Sequence, residues 1–143
     1  MTNETQTKKT LEVLFGDDQF ADLSTELIFK NDYMSRLSGK LPNLSINWNC
    51  QENYLNTIRE VQTGKYDVVV TDLQYTTNGT EGFEVVDTAY KLSPRPLIVL
   101  CTNAKETQQA EGKADYIAKP HDKCFHKFDS LIEILAKHFG GSQ

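Results

Sequence analysis

Five short apolar runs alternate with longer stretches of helical periodicity, and this alternation constrains the fold more than any other feature of the chain. The runs are "TLEVLFG" (10–16), "LSINWN" (44–49), "DVVVTD" (67–72), "PLIVLCTN" (96–103) and "ADYIAKP" (114–120). Between the first two, Phe20, Leu23, Leu27, Ile28 and Leu37 recur at helical spacing, ahead of Pro42. Tyr54, Leu55, Ile58 and Val61 do the same before Gly64. A short helix is expected over 82–92 and a thin, polar one over 104–113. A closing helix from about 122 to 139 carries Phe125, Phe128, Leu131, Ile132, Leu135 and Phe139 on one broad stripe. Five strands and five helices in strict alternation imply a parallel sheet, right-handed crossovers and helices on both faces. "DVVVTD" reads as a strand buried on both faces, whereas "LSINWN" alternates as an edge or half-buried strand would.

The 143 residues suit a single domain, with loose ends expected at 1–9 and 140–143. A net charge of −5 argues against a general nucleic-acid binder. No apolar run approaches the ~20 residues that cross a bilayer, and the polar start "MTNETQTKKT" lacks a signal-peptide core. A cytoplasmic protein is expected. Cys50, Cys101 and Cys124 are odd in number and widely spaced, which implies no disulfide framework.

In an open α/β sheet the site lies beyond the carboxyl ends of the strands. There the first run ends in Asp17-Asp18, the third in Asp72, the fourth in Thr102 and the fifth in Lys119-Pro120. Each has an ordinary reading alone: a helix N-cap, a turn residue, a strand-end threonine, a surface lysine. Together they would bring three carboxylates, a hydroxyl and an ammonium into one shallow pocket. Clustered carboxylates repel unless a cation sits among them, and a hard divalent ion such as Mg²⁺ is the natural guest. Such equipment suits phosphoryl transfer by positioning and charge neutralisation.

The ordered set "VLFGDD", "YDVVVTD", "PLIVLCTN" and "DYIAKP" resembles the receiver domain of bacterial two-component response regulators, over about residues 10–139. The resemblance implies a flavodoxin-like doubly wound sheet of order 2-1-3-4-5. It implies Asp72 as the phosphoacceptor, fed by a phosphohistidine of a sensor kinase or histidine phosphotransfer protein, or by a small-molecule donor. Asp17, Asp18, Asp72 and the backbone carbonyl of Gln74 match the Mg²⁺ ligands. Thr102 matches the switch hydroxyl, Lys119 the lysine that pairs with a phosphoryl oxygen, and Tyr116 the switch aromatic. The Lys119–Pro120 bond is cis in the family. Output would come from a protein partner on the face of the fourth helix, fifth strand and fifth helix, including Gln108, Gln109, Tyr116 and the exposed side of 122–138, or from passing the phosphoryl group onward. The chain would not be an enzyme beyond self-catalysed phosphoryl acceptance and slow autodephosphorylation.

Departures from the family pattern lie near the acceptor. Tyr75 and Thr76 stand where Met-Pro is usual, the loop to Gly82 is about two residues longer, and Asn103 replaces a small residue. A second reading is therefore a receiver that binds partners without phosphorylation. Three other classes fit less well. A haloacid-dehalogenase-type phosphatase needs an acid two residues after its nucleophile, where Gln74 stands. A flavodoxin-like flavin binder would not place Asp17-Asp18 in its phosphate loop. A zinc site from His121, Cys124, His126 and His138 lacks a common spacing.

Overall fold

The computed structural model describes residues 9–76, 79–104, 107–121 and 126–140. Five parallel strands form one sheet in the order β2-β1-β3-β4-β5. They are β1 (Lys9–Gly16), β2 (Leu44–Gln51), β3 (Val68–Thr71), β4 (Leu97–Cys101) and β5 (Tyr116–Ala118). Around them lie four helices. The first, α1, runs continuously over 23–40 as Leu23–Ile28, a wider π turn Phe29–Met34, and Ser35–Lys40, with right-handed helical dihedrals at both junctions. The others are α2 (Tyr54–Gln62), α3 (Glu81–Tyr90) and α4 (Lys127–Gly140). The loose ends expected at 1–9 and 140–143 fall, but for Lys9 and Gly140, outside the described residues. Among the described residues, no helix is long and apolar enough to cross a membrane.

The continuous apolar runs become strands buried on both faces because side chains alternate across a sheet. Val13, Phe15, Val68, Val70, Val99 and Cys101 face α1 and α4, where Phe29, Leu37, Phe128, Leu131 and Leu135 close one core. Leu14, Val69, Ile98 and Leu100 face α2 and α3, against Val61, Val85, Val86 and Ala89. Phe15 centres the first core, edge-to-face with Phe20, Phe29 and Phe128 at 5.0–5.5 Å.

The helix expected from Phe20 to Leu37 forms, but its apolar residues are not all buried, and the helix expected over 104–113 changes. Leu23, Leu27 and Ile28 do not enter the core; they are 73%, 57% and 56% exposed. Phe20, from the preceding 3₁₀ turn Asp18–Ala21, fills that end of the core instead. Of the helix expected over 104–113, the described residues show one 3₁₀ turn, Gln108–Ala110; residues 105 and 106 lie outside them. That segment offers only Ala104 and Ala110 as apolar side chains, too few for a docking stripe. Gly112, at φ 86°, then turns the chain toward β5 in a conformation that favours glycine. The cis peptide bond among the described residues is Ser93–Pro94, so the one implied at Lys119–Pro120 is not present.

Removing the Phe15 ring should leave a cavity among four aromatic neighbours. Phe15→Ala is expected to lower unfolding free energy by about 3–5 kcal/mol, read from urea denaturation followed by Trp48 fluorescence.

Candidate functional site

The sheet's hydrogen-bond ladder continues just past the strands, and this fixes the residues at their ends. Asp17 N–H donates to the Gln51 carbonyl (2.9 Å), Asp72 N–H to the Gly16 carbonyl (2.7 Å), and Thr102 N–H to the Ala118 carbonyl (2.9 Å). Side chains from β1, β3 and β4 therefore leave the sheet on one rim with little backbone freedom. Gly82, opening α3, packs so closely on this rim that a Cβ there would collide with the Asp72 carbonyl. An open cleft of about 360 Å³ results, lined by Asp18, Asp72, Gln74 and Thr102, as expected, and also by Gln19, Thr76, Asn103, Ala104 and Lys127.

The three carboxylates are brought together: Asp17, Asp18 and Asp72 each offer an oxygen within 4.8 Å of the others. Asp17 combines both readings the sequence allowed. Its Oδ1 accepts the Gln19 N–H at 2.9 Å, capping the turn Asp18–Ala21. Its Oδ2 is buried and has no hydrogen bond among the described residues. The Lys127 ammonium lies 3.0 Å from that oxygen, in ion-pair range but out of line for a hydrogen bond. Asp72 Oδ1 accepts from the Leu73 N–H at 2.9 Å and from Lys127 Nζ at 3.1 Å. Thr102 is buried, and its Oγ1 accepts the Ala104 N–H at 3.0 Å, so the hydroxyl is fixed at the cleft wall.

Among the described residues that line the cleft, the cation is Lys127. Lys119 is half-buried and lies outside the residues lining the cleft, while Lys127 is 2% exposed between the two carboxylates. The reason is the start of α4. His126 Nδ1 accepts the Phe128 N–H (3.0 Å), and Asp129 Oδ2 accepts the His126 N–H (3.3 Å), a reciprocal cap. The cap makes Lys127 the first helical residue, and the Cys101 thiol donates to its carbonyl at 3.6 Å. A signal was present in the sequence. Lys127 precedes Leu131 by four residues and Leu135 by eight, so it is a charge on an otherwise apolar stripe.

Tyr116 stands apart from the cleft on the edge strand, exposed, with its hydroxyl 2.9 Å from His138 Nδ1. The surface expected to include a fourth helix is built instead from the turn at Gln108–Ala110, β5 and α4. The zinc alternative finds no support: Cys124 lies outside the described residues, His126 Nδ1 caps α4, and the acidic trio is the metal-suited grouping among the described residues.

Burial, then the neighbouring Asp17 charge, pushes the Asp72 carboxyl up to about 6 despite Lys127. Burial, then Asp17, also raises Asp18. Burial works against the Lys127 ammonium, but Asp17 and Asp72 outweigh it and hold its pKa above the usual lysine range. The cleft is therefore an acidic site in which Asp17 and Asp72 are buried and Asp18 stays open to solvent, with Lys127 as the cation among its described lining residues. The all-oxygen donor set of three clustered carboxylates fits a hard divalent cation.

No known family model and no curated protein sequence matches this chain. Solved structures do. The receiver domain of the Francisella response regulator 1452 superimposes with TM-score 0.63 at 14% identity, covering 93% of this chain and 99% of that one. The response regulator TrrA of Thermotoga maritima, in complex with Mg²⁺-BeF, gives 0.63 at 18% identity, covering 89% and 97%. A CheY-like receiver domain from Methanospirillum hungatei gives 0.61 at 15% identity, covering 94% and 100%. The chain has the flavodoxin-like fold of response-regulator receiver domains, over nearly its whole length.

The raised Asp72 carboxyl has a stability consequence. The folded protein holds that proton more tightly than the unfolded chain, whose aspartate titrates near ~3.9. This contribution to folding is complete below the unfolded value and is lost as pH rises through about 6. Without divalent metal, Asp72→Asn should therefore be more stable than the parent at pH 8, by about 1–3 kcal/mol. The gain should vanish near pH 4, as read by urea denaturation at the two pH values.

Proposed function

We propose that this chain is a response-regulator receiver that takes a phosphoryl group on Asp72 with the help of a divalent cation, most suitably Mg²⁺. The observation that carries this reading is the carboxylate constellation at the carboxyl edge of the sheet, with Asp17 and Asp72 buried. Asp72 is held at the end of β3, within 4.8 Å of Asp17 and Asp18, with the Lys127 ammonium at 3.1 Å. The similar Thermotoga regulator described with Mg²⁺-BeF supports the choice of ion.

In this reading an Asp72 carboxylate oxygen attacks phosphorus. The P–O bond forms as the bond to the donor breaks, and the donor leaves with the bonding electron pair. With a phosphohistidine donor the leaving atom is an imidazole nitrogen; with acetyl phosphate it is a carboxylate oxygen. The product on the chain is an acyl phosphate, which water later cleaves. Mg²⁺ held by Asp17, Asp18, Asp72 and the Gln74 carbonyl would supply neutralisation of the carboxylate and phosphoryl charges. Lys127 moves from compensating Asp72 to compensating a phosphoryl oxygen, and Thr102 is positioned to donate its hydroxyl to another. The chain is then its own substrate rather than an enzyme acting on a separate one. Its partners are a phosphohistidine protein upstream and a protein that reads the β5 and α4 surface downstream, or a further phosphotransfer protein. A cytoplasmic setting goes with this role.

Intact mass after incubation with Mg²⁺ and acetyl phosphate tests the reading. One added phosphoryl mass is expected, absent without Mg²⁺ and absent in Asp72→Asn. No addition, under conditions that label another receiver, would leave the fold as a phosphorylation-independent interaction module. A lysine enters the same assay. Lys127→Ala should slow labelling by at least tenfold, because the Lys127 ammonium donates to Asp72 Oδ1 at 3.1 Å.

A further inference from the structure

Tyr75 occupies an unusual place. It follows the acceptor strand by four residues, yet its ring turns inward, 7% exposed, instead of covering the cleft. The slot it fills exists because residue 16 is glycine: a Cβ on Gly16 would collide with the Tyr75 hydroxyl and with Thr57. A phenol buried this deeply needs a partner. Its hydroxyl lies 2.7 Å from Thr71 Oγ1 and 3.5 Å from Thr57 Oγ1.

The available protons fix the direction of this network. Thr71 donates its one hydroxyl proton to the Asp72 carbonyl at 2.8 Å. Thr57 donates its own to the Asn53 carbonyl at 2.9 Å. Both threonine oxygens are left as acceptors, and Tyr75 has a single proton. The shorter distance assigns it to Thr71. A directed chain results: Tyr75 O–H to Thr71 Oγ1, then Thr71 O–H to the Asp72 carbonyl. That carbonyl belongs to the same peptide unit whose N–H, on Leu73, donates to Asp72 Oδ1 at 2.9 Å. The peptide plane is gripped at its oxygen by Thr71 and Tyr75, and its N–H grips the carboxylate. Aligned donors of this kind polarise and strengthen one another in a desolvated setting.

We infer that Tyr75 is a positioning residue for the reactive carboxylate, acting through Thr71 and the Asp72–Leu73 peptide. The chain of donors commits Asp72 Oδ1 to Leu73 and Lys127. It leaves Oδ2, which has no hydrogen bond among the described residues, as the oxygen available to metal or phosphorus. Glu81 secures the outer side of the same loop. Its Oε1 accepts the Tyr75 N–H at 3.2 Å and its Oε2 the Thr76 hydroxyl at 2.6 Å. The inference rests on the receiver reading only in taking Asp72 as a metal ligand.

Mg²⁺ affinity, measured by isothermal titration calorimetry on the full chain, tests it. The variants are Tyr75→Phe, Thr71→Val and the pair, with thermal midpoints recorded for each. Tyr75→Phe keeps the ring and removes only the hydroxyl. It should weaken Mg²⁺ about three- to tenfold, the size of one lost hydrogen bond. Thr71→Val should do the same or slightly more, and the double variant should bind no more weakly than Thr71→Val alone, because both break one chain. Parent-like Mg²⁺ affinity in Tyr75→Phe would overturn the inference, even with a lowered melting point, since the hydroxyl would then serve stability alone. Independent, multiplying losses in the double variant would also overturn it. Failure of the parent protein itself to bind Mg²⁺ would instead overturn the receiver reading on which the test stands.

Discussion

The site depends on one ammonium placed between two buried carboxylates. Asp17 and Asp72 are both largely removed from water at the rim of the sheet. Side by side and unpaired, they would favour protonation or local opening. Lys127, 3.0 and 3.1 Å from their oxygens, makes the arrangement compatible with a folded protein. Such a group is poor value as a stability device, since an apolar cluster of equal volume would serve as well or better. Its closeness to a third carboxylate, Asp18, and its position over a 360 Å³ cleft point to chemistry.

Everything around the triad constrains it from a different direction. The ladder beyond β1, β3 and β4 sets the backbones of Asp17, Asp72 and Thr102. The His126–Asp129 cap sets where α4 begins and so where Lys127 stands. Asp129 also pairs with Arg36 at 2.8 Å, tying the start of α4 to α1. Gly16 and Gly82 each give up a side chain so that Tyr75 and the Asp72 carbonyl can approach. These constraints come from distant parts of the sequence and meet within one small volume.

Much of the architecture was readable before any coordinates. The runs at 67–72 and 96–103 are too apolar for one-sided burial, so they had to lie inside the sheet. The alternation of Leu44, Ile46 and Trp48 suits an edge or half-buried strand, and the sheet order puts it at an edge. Asp17, Asp18, Asp72 and Thr102 were legible for the same reason, because a strand end is a local feature. The helix expected over 104–113 failed because polar residues with good helix propensity cannot hold a helix to a sheet without an apolar stripe. Leu23, Leu27 and Ile28 misled in the opposite sense: their spacing is helical, but Phe20 had already taken the available core.

The sequence by itself determined the parallel sheet, its buried centre and the row of acidic residues along its carboxyl edge, because these follow from short-range periodicity and the chemistry of strand ends. Tertiary structure decided that Lys127 stands between two of them. Lys119 lies at a strand end and Lys127 eight residues on, and nothing local to Lys127 says that it will reach Asp72. Its place rests on where α4 is capped and how it packs on β4. Tertiary structure also decided that Tyr75 turns inward, since the slot it enters is made by Gly16, Thr57 and Thr71, drawn together from three separate elements only when the sheet has formed.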